Sequence, residues 1–369
     1  MPFDVGGTDE EQSLRGLTGP LTKILSSYVD FLDRPTRSCV VVLKPDRDPS
    51  WNLIREDFED VQWSTSLLFL ATYAQNEYFQ QLPKYVNRAM FDLYWQGFTE
   101  PIEFITLSAR RRGGELLIAG YKHGQIKLTV PIQADSRDTI TPDIGFLQAL
   151  QVAEAAGSST IRRLKAALSF FSLASTDSDV MLPEAEIVLM ASAFDQLLEG
   201  YGARALSQKF GDLFDAFGSV TVAQSLATRG DIVVDPKFVS EQEAWFVHRK
   251  WIEELYHLRN AFAHGTAPSA RSWGWLRFEH LVIAAFAFLL TVKLCLKQEG
   301  HYTLTHEDEV RCGALDLLLA ATDCREFEES NLTVWQKQLS LASRKVTVAK
   351  AVAAYRAMQE KKEPEDGRP

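Results

Sequence analysis

Cysteine is scarce: Cys39, Cys295, Cys312 and Cys324 are the four in 369 residues, and no two share a CxxC spacing. Thiols so few and scattered build no disulfide scaffold; they suit a reducing cytosol and read as buried side chains. Positive charge is in deficit as well. Lys and Arg number 39 against 49 Asp and Glu, a net charge of −10, which excludes a broad basic coat for packaging nucleic acid while leaving room for a small basic site. No apolar run is long enough to be a clear membrane span. The greasiest, LVIAAFAFLLTV at 281–292, is interrupted by Lys293, whereas a spanning helix needs about 20 apolar residues. A buried core helix is expected there, with no membrane partner. The opening MPFDVGGTDEEQSLRG is acidic without an apolar centre, so no signal peptide is expected, and the expected location is cytoplasmic. Gly-rich phosphate loops, GxSxG and HExxH are missing too, which removes support for NTPase, α/β-hydrolase and zinc-protease readings.

What is present divides near residue 140. The segment 1–140 mixes signals. TGPLTKILSSYVDFLDRP has helical spacing up to Pro35, RSCVVVLKP reads as a strand, and Trp51–Gly97 is aromatic and mostly helical in pattern. In IEFITLSARRRGGELLIAGYKHGQIKLTVP, three strand-like runs are separated by RRRGG and KHG, which predicts an antiparallel β-meander. The polar, two-proline PIQADSRDTITPD then marks a domain boundary. Beyond it the pattern is helical throughout. Pro183 followed by Glu184 and Glu186 starts one helix, and Ser240 with Glu243 has capping-box spacing for another. The expected architecture is α+β: a mixed N-terminal domain over 1–140, an all-α bundle over 141–330, and a C-terminal helix with a disordered charged tail over 331–369.

The stretch LYHLRNAFAHG at 255–265 carries the chemistry. Trp251, Ile252, Leu255, Leu258 and Phe262 form an apolar stripe. Asn260 and His264 are four apart and share a face, Arg259 lies beside them, and Gly265 is a natural helix stop. An imidazole can move a proton and a guanidinium can hold a phosphoryl oxygen with forked hydrogen bonds. Together they hold what RNA cleavage without a metal needs. The competing reading is architectural, because helices often end in Arg or His followed by Gly.

Arg259-Asn260-Ala-Phe-Ala-His264 resembles the Arg-x4–6-His signature of the HEPN superfamily, and LRNAFAHG is similar in particular to the HEPN domains of ApeA-type bacterial anti-phage proteins. The context agrees. EAEIVLMASAFDQLLEGY precedes the motif as an acid-bearing helix, and LVIAAFAFLLTVKLCL follows it as an apolar one. The resemblance spans roughly residues 155–300 and implies a HEPN-like helical bundle with Arg259, Asn260 and His264 as the catalytic set. It further implies a homodimer with two motifs facing across a two-fold axis, an RNA substrate with tRNA a candidate, and a toxin-like role in phage defence by abortive infection under a phage or antitoxin trigger. Asp195 and Glu199, four apart on the preceding helix, match its acidic positions loosely; they would position Arg259 or belong to a solvated face. The alternative is a non-catalytic HEPN-like bundle that binds RNA or nucleotides, or dimerises as a scaffold that recruits a partner protein.

Other residues invite roles. Arg110, Arg111 and Arg112 form a basic cluster at the hairpin tip, fit either to touch RNA or to decorate a turn. His257 and His248 share the motif helix and either line the cleft or pack structurally. Trp273 and Trp275 would stack a base or pin the loop to the bundle. His301, His306, Asp308 and Cys312 match no zinc template, so no metal and no cofactor is expected.

Overall fold

The computed structural model describes residues 2–4, 22, 25–26, 28–29, 38–40, 55–74, 86, 88–91, 105–111, 114–121, 126–127, 141–176, 181–226, 232, 237–265, 274–321 and 334–360. The chain is mostly helical. It separates into two compact units, Met1–Ser64 with Ala89–Ser136, and Thr65–Arg88 with Arg137–Pro369. The second unit therefore takes 65–88 out of the segment that the sequence assigns wholly to an N-terminal domain.

In the first unit, β1 (Pro2–Asp4) pairs antiparallel with β3 (Ser38–Val40), and β4 (Ile105–Arg111) pairs antiparallel with β5 (Gly114–Tyr121). Of the expected three-stranded meander the described residues give the β4–β5 hairpin; the described part of the third run is β6 (Ile126–Lys127), which pairs in parallel with β2 (Tyr28–Val29). Tyr28 and Val29 fall inside the stretch read as helical; an aromatic beside a β-branched residue favours the strand locally. Helix α1 (Arg55–Tyr73) starts in this unit and gives its second half to the other.

The second unit is a helical bundle: α2 (Ile144–Ala155), α3 (Ser159–Ala174), α4 (Pro183–Leu198), α5 (Ala203–Phe214), the short α6 (Val222–Leu226) and α7 (Val239–Ala244), then α8 (Val247–Ala263), α9 (Arg277–Gln298), α10 (His306–Ala320) and α11 (Val334–Glu360). α9 is apolar around most of its circumference and so belongs at the centre. By length and composition it could cross a membrane, yet 89% of its most apolar window is buried inside the protein. Around it, aromatic rings knit the helices. Phe288 of α9 stacks on Phe171 of α3 at 4.4 Å and meets Phe194 of α4 edge-on at 5.5 Å. Phe194 in turn contacts Phe210 of α5 and Trp251 of α8. Each of these rings is buried, contributing roughly 1.5–3 kcal/mol by removal from water.

One sequence expectation fails instructively. The helix read from Ser240 through the motif is broken. Trp245 and Phe246 are extended, with ψ near 150° and 147°, and α8 begins only at Val247. Val222 N–H donates to Trp245 O and Val247 N–H to Val220 O, so tertiary backbone pairing wins over helix continuation. Ser240 consequently sits inside α7 rather than capping it. The Asp316 carboxylate fixes this break by accepting from the backbone N–H groups of Ser219, Val220 and His248, and by pairing with His248 Nδ1 at 2.7 Å. His248 Nε2 faces Asp215, which Arg249 grips through Nε at 3.0 Å. Gly211 makes this possible, since a Cβ there would strike the Arg249 guanidinium. Burial opposes charge on His248, but its two aspartates outweigh burial and raise its pKa.

At the other end, Lys293 interrupts the apolar α9 only in sequence. Its ammonium is buried, donating to Asp143 Oδ2 at 2.8 Å and Asp308 Oδ1 at 2.7 Å, above the ring of Phe146. Asp143 caps α2 through the Phe146 N–H, and Asp308 completes the capping box of α10 with Thr305 while accepting from Tyr302. Burial pushes Asp308 up, but Lys293 and the hydrogen bonds outweigh it and hold the carboxyl below its usual range. Its stabilisation is complete above the unfolded carboxylate pKa and is lost as pH falls through the lowered folded value. Lys293→Met, which leaves two carboxylates without their cation, is expected to cost about 3–5 kcal/mol in urea denaturation and to flatten the acid limb of the stability–pH curve; an unchanged midpoint would show that this cluster carries no net stability.

Candidate functional site

The motif occupies the last turn of α8. Of its expected apolar stripe, Trp251, Ile252, Leu255 and Leu258 are buried and Phe262 is half-buried; Lys250, Glu253 and Glu254 are buried as well, so the helix opens to solvent only toward its C-terminal end. His264 is the C-cap residue, its N–H bonded to Asn260 O at 3.0 Å, and Gly265 follows at φ 64°. That left-handed geometry is open to glycine at little cost and ends the helix directly after the imidazole.

Arg259 is held from two sides. Its Nη1 donates to Asn260 Oδ1 at 2.9 Å, and its guanidinium carbon lies 5.2 Å from the centre of the Tyr256 ring. Both contacts are local, one residue and three residues away, so the helix itself positions the charge. His264 and His257 are exposed, while Arg259 and Asn260 are half-buried. At about 100° per residue, His257, Asn260 and His264 fall within about 60° of one another as an open polar stripe, while Arg259 leaves the helix about 100° from Asn260 and its guanidinium is drawn back to Asn260 Oδ1.

Asp195 of α4 lies within electrostatic reach. Burial raises its carboxyl pKa and the Arg259 charge works against that rise. No direct hydrogen bond joins the two, and Asp195 Oδ1 is buried without a hydrogen-bond partner among the described residues. Glu199, paired with Asp195 on sequence spacing, goes elsewhere. α4 ends at Leu198, Glu199 adopts the left-handed conformation at φ 51°, and its carboxylate meets Arg163 at 3.4 Å. Termination of the helix breaks the spacing that would keep both acids on one face.

Three supports were not legible in the sequence. Glu254, buried on α8, accepts from the N–H groups of Gly274 and Trp275 and from His280 of α9, which fixes the chain's return after the motif. Arg277, first residue of α9, lies over the Phe262 ring at 5.6 Å and pairs with Glu184 at the start of α4. Tyr256 is the third. Only Tyr256 had a local signal, its i,i+3 spacing to Arg259; the others depend on long-range contacts. Trp275 is buried with its indole N–H on Leu319 O, so it pins the bundle and is not free to stack a base, and Trp273 lies outside the described residues. His248 is likewise committed to Asp215 and Asp316.

Arg110 and Arg111 end β4, opposite Glu115 and Gly114 of β5; Arg112 lies outside the described residues. Asp308 is engaged by Lys293, Tyr302 and Thr305. Cys295 and Cys312 are buried free thiols, and burial pushes Cys295 up to about 12, far from a reactive thiolate. Cys324 lies outside the described residues.

A scan against protein-family models and searches of curated proteins and of solved structures find no match to this chain. Arg259→Ala is expected to raise the Asp195 pKa further, because the opposing Arg259 charge is gone while burial remains. A carbon-13 carboxyl titration of wild type and variant reads this directly, and superimposable curves would remove the coupling.

Proposed function

We propose that the chain is a metal-independent endoribonuclease whose centre is Arg259, Asn260 and His264, with His257 and Asp195 in support. The observation that carries this reading is the guanidinium of Arg259, held by Asn260 and Tyr256 in the last two turns of α8, the helix that His264 caps. A structural helix end needs a cation near its carbonyls but has no use for one clamped by an asparagine and set over a tyrosine ring.

Imidazole exchanges protons near neutral pH. In the reaction, one histidine takes the proton of a ribose 2′-hydroxyl, the 2′-oxygen bonds to phosphorus, and the bond to the 5′-oxygen breaks as that oxygen is protonated. The products are a 2′,3′-cyclic phosphate and a free 5′-hydroxyl. Arg259 neutralises the charge that grows on the phosphoryl oxygens, and Asn260 holds Arg259 in place. Two copies facing across a two-fold axis would supply a second imidazole and a second guanidinium to one cleft, which reconciles a net charge of −10 with a polyanionic substrate. The motif's resemblance to HEPN domains of anti-phage proteins supports the same chemistry and a toxin-like role in abortive infection. On this reading an α+β N-terminal half supplies the trigger.

Full-length protein is incubated with tRNA and with a mixed-sequence RNA in EDTA. Wild type is expected to leave cyclic-phosphate ends, while Arg259→Ala and His264→Ala fall by about 100-fold or more. Equal cleavage by all three would end the assignment. Tight RNA binding without cleavage in wild type would favour a non-catalytic scaffold.

A further inference from the structure

Helix α11 differs in character from the rest of the chain. Within Val334–Glu360 it carries five cations, Lys337, Arg344, Lys345, Lys350 and Arg356, against the single carboxylate of Glu360, in a protein whose overall balance is −10. Its packing is one-sided. Leu339, Ala342 and Val346 close a small core with Val310, Ala314 and Leu317 of α10, and Lys350 pairs with Glu309 at 2.5 Å. At about 100° per residue those positions share one side of the helix.

The opposite side is apolar and open. Leu341, Val348 and Val352 are 40%, 62% and 44% exposed, and helical geometry places them within about 40° of a single line roughly 16 Å long. Branched aliphatic side chains on an exposed helix gain nothing from water; a line of three at spacings of seven and four has the form of a helix-docking seam. Exposed Arg344 flanks that line on one side, and exposed Lys345 and Arg356 flank it on the other.

The flanking charge decides what can cover the seam. A second copy of α11 would set cations against cations, which costs association energy. Nucleic acid would satisfy the cations but leave Leu341, Val348 and Val352 facing phosphate; Tyr355, 63% exposed on the same side, offers a single stacking ring beside three aliphatic side chains. An apolar stripe bordered by carboxylates satisfies both. We propose that this face of α11 is a docking surface for an acidic amphipathic helix of a partner protein. The proposal is independent of the chemistry assigned to Arg259 and His264.

Fluorescence anisotropy on the full-length protein tests it with a labelled peptide of about 14 residues, four helical turns, bearing leucines on one face and glutamates along its borders. Comparison probes are a scrambled peptide of the same composition, a peptide with lysine in place of glutamate, and a uridine 20-mer. The ordered acidic peptide alone is expected to bind. Its affinity should fall by about tenfold or more in a Val348→Glu, Val352→Glu variant and in a Lys345→Glu, Arg356→Glu variant, and the latter should gain affinity for the lysine peptide. All four positions are exposed, so melting curves should match wild type. Three results each overturn the proposal: equal binding of ordered and scrambled peptides, displacement of the peptide by the uridine 20-mer, or a wild-type dimer that Val348→Glu, Val352→Glu converts to monomer.

Discussion

The bundle is organised by the need to keep one helix out of water. α9 is apolar around most of its circumference, so no single partner can cover it, and α2, α3, α4, α5 and α10 are the means by which it is enclosed. Enclosure creates a second demand, because the polar groups α9 does carry must find partners inside. Lys293 meets it with Asp143 and Asp308, and His280 meets it with Glu254. Each pairing reaches a helix terminus or a chain reversal. Satisfying α9 therefore also fixes where α2 and α10 start and where the chain comes back from the motif.

That arrangement places the motif at a boundary between rigid and open. The body of α8 is locked by Trp251, Leu255 and Leu258 and pinned at its start by the Asp316 carboxylate, while its final turn emerges with His264 exposed. Arg259 sits where the two regimes meet. It is near enough to the interior to feel Asp195, and near enough to solvent to meet a ligand. A charged group that is anchored without being fully desolvated keeps its freedom to bind an anion.

Periodicity in the sequence located α3, α4, α9 and the body of α8, because each rests on an apolar pattern that local spacing encodes. It also placed Pro183 at a helix start and Gly265 at a helix stop. It did not reveal the break at Trp245–Phe246, which exists because Val220 and Val222 offer backbone hydrogen bonds from a distant segment. The divergence of Asp195 and Glu199 was hidden for a related reason: spacing assumes a continuous helix, and α4 ends between them. Within the site, Arg259, Asn260 and His264 were readable together because they are neighbours on one helix. Glu254, Glu184 and Arg277 were not, since their roles arise from contacts across 15 to 93 residues of chain.

The clasp on Arg259 has a thermodynamic consequence for any anion that arrives there. A free arginine side chain samples many rotamers, and freezing it costs about 2 kcal/mol of conformational entropy. With Tyr256 beneath the guanidinium and Asn260 at its edge, most of that ordering takes place during folding. An anion reaching Arg259 would meet a guanidinium whose ordering is largely complete, so less of its affinity would go into organising the side chain.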